Sequence, residues 1–235
     1  MAEIVLIKGN EAVGKAAIMA GCTHYYGYPI TPQNEIPEYM SLHLPALGGT
    51  FIQAESETAS INMMIGSAAA GMRTMTSTSG PGYSLMLEGL SHFAGMELPA
   101  VVVLVSRGGP GGGSLESTQL DYFSVTKGGG HGGYRNIVLA PVDVQELFDH
   151  TQLAFDLADK YRMVAIVLAE ATLGNMAEPI EIRRVCAVPP NELPPKEWAL
   201  RGKGGNKKKL IVSSAAPGFG PFNNLNDLNR HLADK

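Results

Sequence analysis

A chain of 235 residues is long enough for one large α/β domain with an appendage. Hydrophobic side chains make up 45% and charged ones 17%, an apolar balance that points to strands buried on both faces and to surface covered by other subunits. The formal net charge of -4 gives no reason to expect nucleic acid or an anionic membrane as partner, and no apolar run approaches the roughly 20 residues that span a bilayer. The amino-terminal residues lack a basic segment followed by a cleavable apolar core, so the cytoplasm is the expected compartment. Two cysteines, Cys22 and Cys186, are too few for a disulfide framework, a zinc site or an iron–sulfur cluster. Electron carriers for any redox chemistry are therefore expected on other chains.

In chain order, residues 3–8 read as a short buried strand and residues 10–20, rich in alanine, as a helix. Residues 23–28 are aromatic and strand-like, ending at Pro29-Ile30-Thr31-Pro32, where two prolines forbid regular backbone pairing. A helix is predicted over 33–43, a strand over 50–54 and a small-residue helix over 57–71. A strand over 73–77 leads through Ser79-Gly80-Pro81-Gly82 into a helix to about Gly95. Residues 100–106 are a continuous Val/Leu run, the mark of a fully buried central strand. A glycine-rich loop over 108–113 and a weakly structured stretch follow. Next come a strand over 136–139, a helix over 144–160 and a strand over 164–169. Strands alternating with helices at this spacing predict a doubly wound, mainly parallel sheet with helices on both faces. Ligands then belong beyond the carboxyl ends of the strands, which singles out the loops at 28–31, 54–57 and 106–113. The domain is expected to span 1–182. A proline-rich linker and a polar tail, with a basic run at Lys207–Lys209, are expected over 183–235.

Gly9 to Lys15 nearly matches a phosphate-binding loop. Ala16 lacks the hydroxyl that would hold Mg²⁺, and Glu11 puts a negative charge where phosphates would sit, so the segment reads as an ordinary strand–helix junction.

Ala54-Glu55-Ser56-Glu57-Thr58-Ala59 places two acids at the exit of a strand and the start of a helix. A carboxylate there is favoured by the helix dipole and can accept unpaired N–H groups. From position alone, simple caps and a working acid both remain open. Glu55 and Glu57 lean the same way if the segment is extended and separate if it turns.

Four segments taken together resemble the alpha subunit of 2-oxoacid:ferredoxin oxidoreductases. They are Gly27-Tyr28-Pro29-Ile30-Thr31-Pro32, Gln53-Ala54-Glu55-Ser56-Glu57, Thr76-Ser77-Thr78-Ser79-Gly80-Pro81-Gly82-Tyr83 and Arg107-Gly108-Gly109-Pro110. The resemblance runs over about residues 1–182. Gly128 to Arg135 and Pro32 to Pro37 look most like the branched-chain, 2-oxoisovalerate type, with 2-oxoglutarate or pyruvate as alternative substrates and a non-catalytic assembly subunit as the contrasting class.

The resemblance implies a pyrimidine-binding domain for thiamine diphosphate. Glu57 would hydrogen-bond N1′ of the aminopyrimidine and favour the imino tautomer, whose nitrogen can take the thiazolium proton. Thr31 and Arg107 would hold the substrate carboxylate, the guanidinium as a fork. Tyr28, Pro29, Ser79 and Gly80 would line the cofactor cavity, Ser79 to Gly82 through N–H groups at a helix start. His131 and Glu55 are left without an assigned role, and Met63, Met64, Met72 and Met75 read as core and interface packing. The expected partners are a diphosphate-binding, beta-type subunit, gamma- and delta-type subunits with iron–sulfur clusters, ferredoxin and coenzyme A. With no Gly-Asp-Gly…Asn motif visible, Mg²⁺ is expected in a partner. Members continue into a further α/β domain; this chain is either a shortened version or a fragment.

Overall fold

The computed structural model describes residues 3–186, 189–200 and Arg230. The basic run at Lys207–Lys209, Leu210 to Val212 and nearly all of the polar tail lie outside the described residues.

Eight strands and seven α-helices are described. They are β1 (Glu3–Lys8), α1 (Gly9–Met19), β2 (His24–Gly27), α2 (Glu35–His43), β3 (Thr50–Gln53), α3 (Glu57–Ala69), β4 (Thr74–Thr78), α4 (Gly80–Met96), β5 (Ala100–Ser106), α5 (Tyr122–Thr126), β6 (Ile137–Leu139), α6 (Val144–Tyr161), β7 (Val164–Glu170), α7 (Ala171–Asn175) and β8 (Ala177–Ile182). Six strands form one sheet in the order β3-β2-β4-β5-β7-β6, and every pairing in it is parallel. β5 is buried along its whole length. Because side chains alternate across a strand, Val101, Val103 and Val105 enter one core and Val102 and Leu104 the other. The first core is closed by α1, α2 and α6 through Val13, Ala16, Met40, Phe148 and Phe155. The second is closed by α3 and α4 through Ile61, Met64, Met86, Leu90 and Phe93. Helices thus cover both faces, as a continuous apolar strand requires.

One expectation is corrected. β1 is not a buried strand of the main sheet. It pairs antiparallel with β8 in a separate two-stranded ribbon, and Ile4 and Leu6 are 71% and 72% exposed. Only Val5, Ile7, Ile180 and Ile182 of the ribbon turn toward the first core. β8 and α7 were not anticipated, and the weakly structured stretch contains α5. Beyond the ribbon, residues 189–200 lie back against the domain. Lys196 pairs with Asp159 at 2.6 Å, the Leu200 N–H donates to the Ala69 carbonyl at 2.8 Å, and Arg162 sits over the Trp198 ring.

The topology also creates a crevice. From β2 the chain passes through α2 outward to β3; from β4 it passes through α4 the other way to β5. The two connections diverge between adjacent strands, the switch point where open parallel sheets bind ligands.

Candidate active site

The loops after β2, β3, β4 and β5 all emerge at the carboxyl edge of the sheet, around this crevice. Glu57 enters from β3. Ser56 has extended backbone and accepts a hydrogen bond from the Ala59 N–H at 3.1 Å, so it caps α3. Neither acid is the cap. The turn separates them: Glu55 is exposed, while Glu57, the first helical residue, is 4% exposed. The Glu57 carboxyl packs on the backbone of Gly82 in the first turn of α4. A Cβ at Gly82 would stand 2.4 Å from Glu57 Oε1 and 2.2 Å from Thr78 Oγ1. Among the described residues no hydrogen bond or ion pair reaches the Glu57 side chain. Buried polar groups normally have a hydrogen-bond partner, and the absence of a side chain at Gly82 is what lets the carboxyl lie here. A buried acid with no donor of its own, set against bare backbone, fits an aromatic heterocycle presenting a ring nitrogen.

Arg107 enters from β5 on the other side. Its Nη1 donates to the Thr31 carbonyl at 2.8 Å and its Nη2 to the Gly112 carbonyl at 2.8 Å. Its Nε is buried without a partner. The structure therefore brings Thr31 and Arg107 together, through the Thr31 backbone, with the threonine itself exposed. Tyr28, 37% exposed, and Pro29, also exposed, stand at the mouth of the crevice. Gly80 begins α4. Ser79 is fully buried with its Oγ unpartnered, and Pro81 has no N–H, so the start of α4 offers fewer donors to the crevice than the sequence suggests.

Sequence reasoning missed Asp121. Its carboxylate accepts from Ser106 Oγ at 2.5 Å and lies against Gly80, where a Cβ would be 2.8 Å from Oδ2. It thereby ties the exit of β5 to the start of α4. Burial, with smaller contributions from Tyr134 and Asp121, pushes the Tyr83 phenol above its ordinary value, so it stays protonated in the second core. His131 is exposed; its backbone N–H, not its ring, is held, by Ser91 Oγ at 2.6 Å. Met64 and Met75 are core residues, whereas Met63 and Met72 reach the surface. Gly9 to Lys15 is helical from its first residue and Glu11 turns back to the Lys8 N–H at 3.4 Å, so no phosphate cradle forms. Among the described residues, no group of three or more His, Cys, Asp or Glu side chains could hold a metal ion, and no helix is long and apolar enough to cross a membrane.

A parallel sheet with a buried acid and an arginine converging on its switch point defines a ligand-binding α/β domain. The chain belongs to the family described as pyruvate flavodoxin/ferredoxin oxidoreductase, thiamine diphosphate-binding, which it matches over residues 15–214. It is 50% identical over 230 residues to the ketoisovalerate oxidoreductase subunit VorB of Methanothermobacter marburgensis, covering 98% of this chain and 63% of that one. It is 43% identical over 203 residues to the 2-oxoglutarate synthase subunit KorA of Methanothermobacter thermautotrophicus, covering 83% of this chain and 54% of that one. Among solved structures, the 2-oxoglutarate:ferredoxin oxidoreductase from Magnetococcus marinus, with 2-oxoglutarate, coenzyme A and succinyl-CoA bound, superposes with a TM-score of 0.85 at 32% identity, covering 99% of this chain and 43% of that one. The chain thus spans about 63% of the length of its more similar curated relatives.

Proposed function

We propose that this chain is the pyrimidine-binding subunit of a 2-oxoacid:ferredoxin oxidoreductase, acting with partner subunits on a branched-chain 2-oxoacid. The reaction is oxidative decarboxylation to an acyl-CoA and CO₂, with two electrons passed to ferredoxin. The single observation that carries the reading is the buried, unpartnered Glu57 carboxyl set against Gly82 at the switch point. Thiamine diphosphate, when bound, supplies the carbanion chemistry and the electron sink. Glu57 holds a proton at N1′ of its pyrimidine. Tyr28, Pro29 and the Ser79–Gly80 turn border the cavity that receives the ring. The Arg107 guanidinium and Thr31 hold the substrate carboxylate, whose full charge favours a forked donor. The higher identity to the ketoisovalerate relative than to the 2-oxoglutarate relatives supports the branched-chain substrate. Mg²⁺, iron–sulfur clusters and much of the coenzyme A site belong to partner chains.

The test is co-expression with the beta-, gamma- and delta-type subunits and a ferredoxin-linked assay across several 2-oxoacids. The Glu57→Gln complex should assemble and melt like wild type yet lose at least roughly a hundredfold in turnover, the scale of a lost acid–base group. Near-normal turnover of that complex rules out Glu57 as the activating acid.

A further inference from the structure

The loop over residues 28–34 carries Thr31 but has little regular backbone pairing of its own, since Pro29 and Pro32 lack an N–H. Three of its carbonyls are held instead by side chains, one from within the loop and two from elsewhere in the chain. The Tyr28 carbonyl accepts from Gln33 Nε2 at 3.2 Å, the Thr31 carbonyl from Arg107 Nη1 at 2.8 Å, and the Pro32 carbonyl from Asn10 Nδ2 at 2.8 Å. We infer that Asn10 and Gln33 are positioning residues that fix the Thr31 anchor for the substrate carboxylate. The inference rests on the proposed function and names two residues that it leaves out.

Both amides are fully buried, where an unbonded polar group is costly. Gln33 extends the hold into the sheet: its Oε1 accepts from Ser77 Oγ at the end of β4, and Ser77 Oγ shares a hydrogen bond of 2.6 Å with the Tyr25 hydroxyl on β2. The loop is thus tied to both strands that flank the switch point. Asn10 ties it to α1. Its Nδ2 also donates to Glu35 Oε2 at 2.8 Å, and Lys8 Nζ holds the other Glu35 oxygen at 3.3 Å. Pro32 and Glu35 both present acceptors, so only the amide nitrogen can face them. Asn10 Oδ1 finds no donor and lies over Gly174, where a Cβ would be 2.7 Å away. An aspartate at position 10 would face two acceptors with a third. Asn10 belongs to the segment that mimics a phosphate loop, and this contact gives that segment a role. A substrate anchor set before binding avoids the cost of ordering it on binding.

The experiment uses the co-expressed complex with Asn10→Asp and, separately, Gln33→Met, two substitutions of similar volume. The expected result is a rise of about tenfold in the KM for the 2-oxoacid, the equivalent of about 1.4 kcal/mol, with kcat lowered less than about threefold. Amide hydrogen exchange over residues 28–34 should quicken in both variants by more than it does elsewhere in the chain, whatever fall in melting temperature goes with it. A purely structural role would lower the melting temperature and leave KM alone. Should Asn10→Asp fail to fold, Gln33→Met decides alone. Unchanged KM in folded variants of an active complex overturns the inference and spares the proposed function. A wild-type complex that turns over no 2-oxoacid overturns the proposed function, and the inference with it.

Discussion

The Glu57 carboxyl occupies the space that a side chain at position 82 would need. A Cβ on Gly82 would come within 2.4 Å of Glu57 Oε1 and 2.7 Å of its Cγ. The acid and the glycine sit on different helices, α3 and α4, and each determines what the other can be. Ser56 makes this relationship available by taking the capping role, so the Glu57 carboxyl can turn inward.

Gly82→Ala tests that relationship. Helix propensity alone favours alanine by up to about 1 kcal/mol. The contacts with Glu57 and Thr78 oppose it, and overpacking of a tight site costs about 1–3 kcal/mol. The expected outcome is a net loss of stability in chemical denaturation together with loss of turnover in the complex. In a Glu57→Ala background the same substitution should cost less stability, because one of the two clashing groups is gone. Strict additivity of the two substitutions would show that the sites do not interact.

Arg107 bridges two loops. Its Nη atoms bond to carbonyls of the β2 loop and of its own glycine-rich loop, so its head is held near Thr31 before any substrate arrives. Arg107→Ala should raise the KM for the 2-oxoacid at least about tenfold, in line with about 1.5–3 kcal/mol for a hydrogen bond to a charged group. Arg107→Lys should restore little, because one ammonium cannot reproduce a fork that spans two carbonyls. Steady-state kinetics of the assembled complex check both; an unchanged KM in Arg107→Ala removes the residue from the substrate site.

These relationships were unequally legible in the sequence. The buried run at β5, the alternation of strands and helices and the strand-end loops follow from periodicity. They locate Thr31, Glu57 and Arg107 at one edge of the sheet. Periodicity does not say which strands pair, so the apolar β1 reads as part of the sheet although it lies outside it. β8 escaped because Pro179 argues against a strand interior; a two-stranded ribbon offers the edge where proline is tolerated. The Ser56 cap was readable from residue type, a serine just before a helix. Asp121, Asn10 and Gln33 were not, since each acts through contacts 15 to 44 residues away in the chain.

Away from the site, Arg73 anchors the amino end of β4. It is 6% exposed and pairs with Asp156 and Asp159 at 2.8 Å each, while its Nη1 donates to the Ala20 carbonyl at 2.5 Å. Burial works against its charge, yet the two aspartates outweigh it and hold the guanidinium pKa above the ordinary value. Arg73→Met should destabilise the chain by about 1–3 kcal/mol, because two carboxylates lose a shared cation and its hydrogen bonds, although Lys196 still pairs with Asp159. Adding Asp156→Asn should recover part of that loss. Urea denaturation of the single and double variants measures both, and a loss below about 0.5 kcal/mol in Arg73→Met would mean that the cluster behaves as a surface pair.

Alkaline pH should weaken the fold through Cys22. Burial pushes its thiol from an ordinary 9.0 up to about 12, against a smaller opposing effect of its bond to the His24 carbonyl. Tyr25, fully buried beside it in the same core, is raised for the same first reason. Above the ordinary value the unfolded chain has already lost the thiol proton while the folded chain keeps it. Unfolding then releases a proton, so rising pH favours the unfolded state. The contribution is intact below pH 9.0 and drains away as pH climbs toward about 12. Urea midpoints followed between about pH 8 and pH 10.5 should therefore fall, and the Cys22→Ala variant should show a shallower fall over the same window. Equal slopes for the two proteins would mean that the buried thiol does not contribute to the alkaline loss, leaving buried phenols such as Tyr25 and Tyr83 as its source.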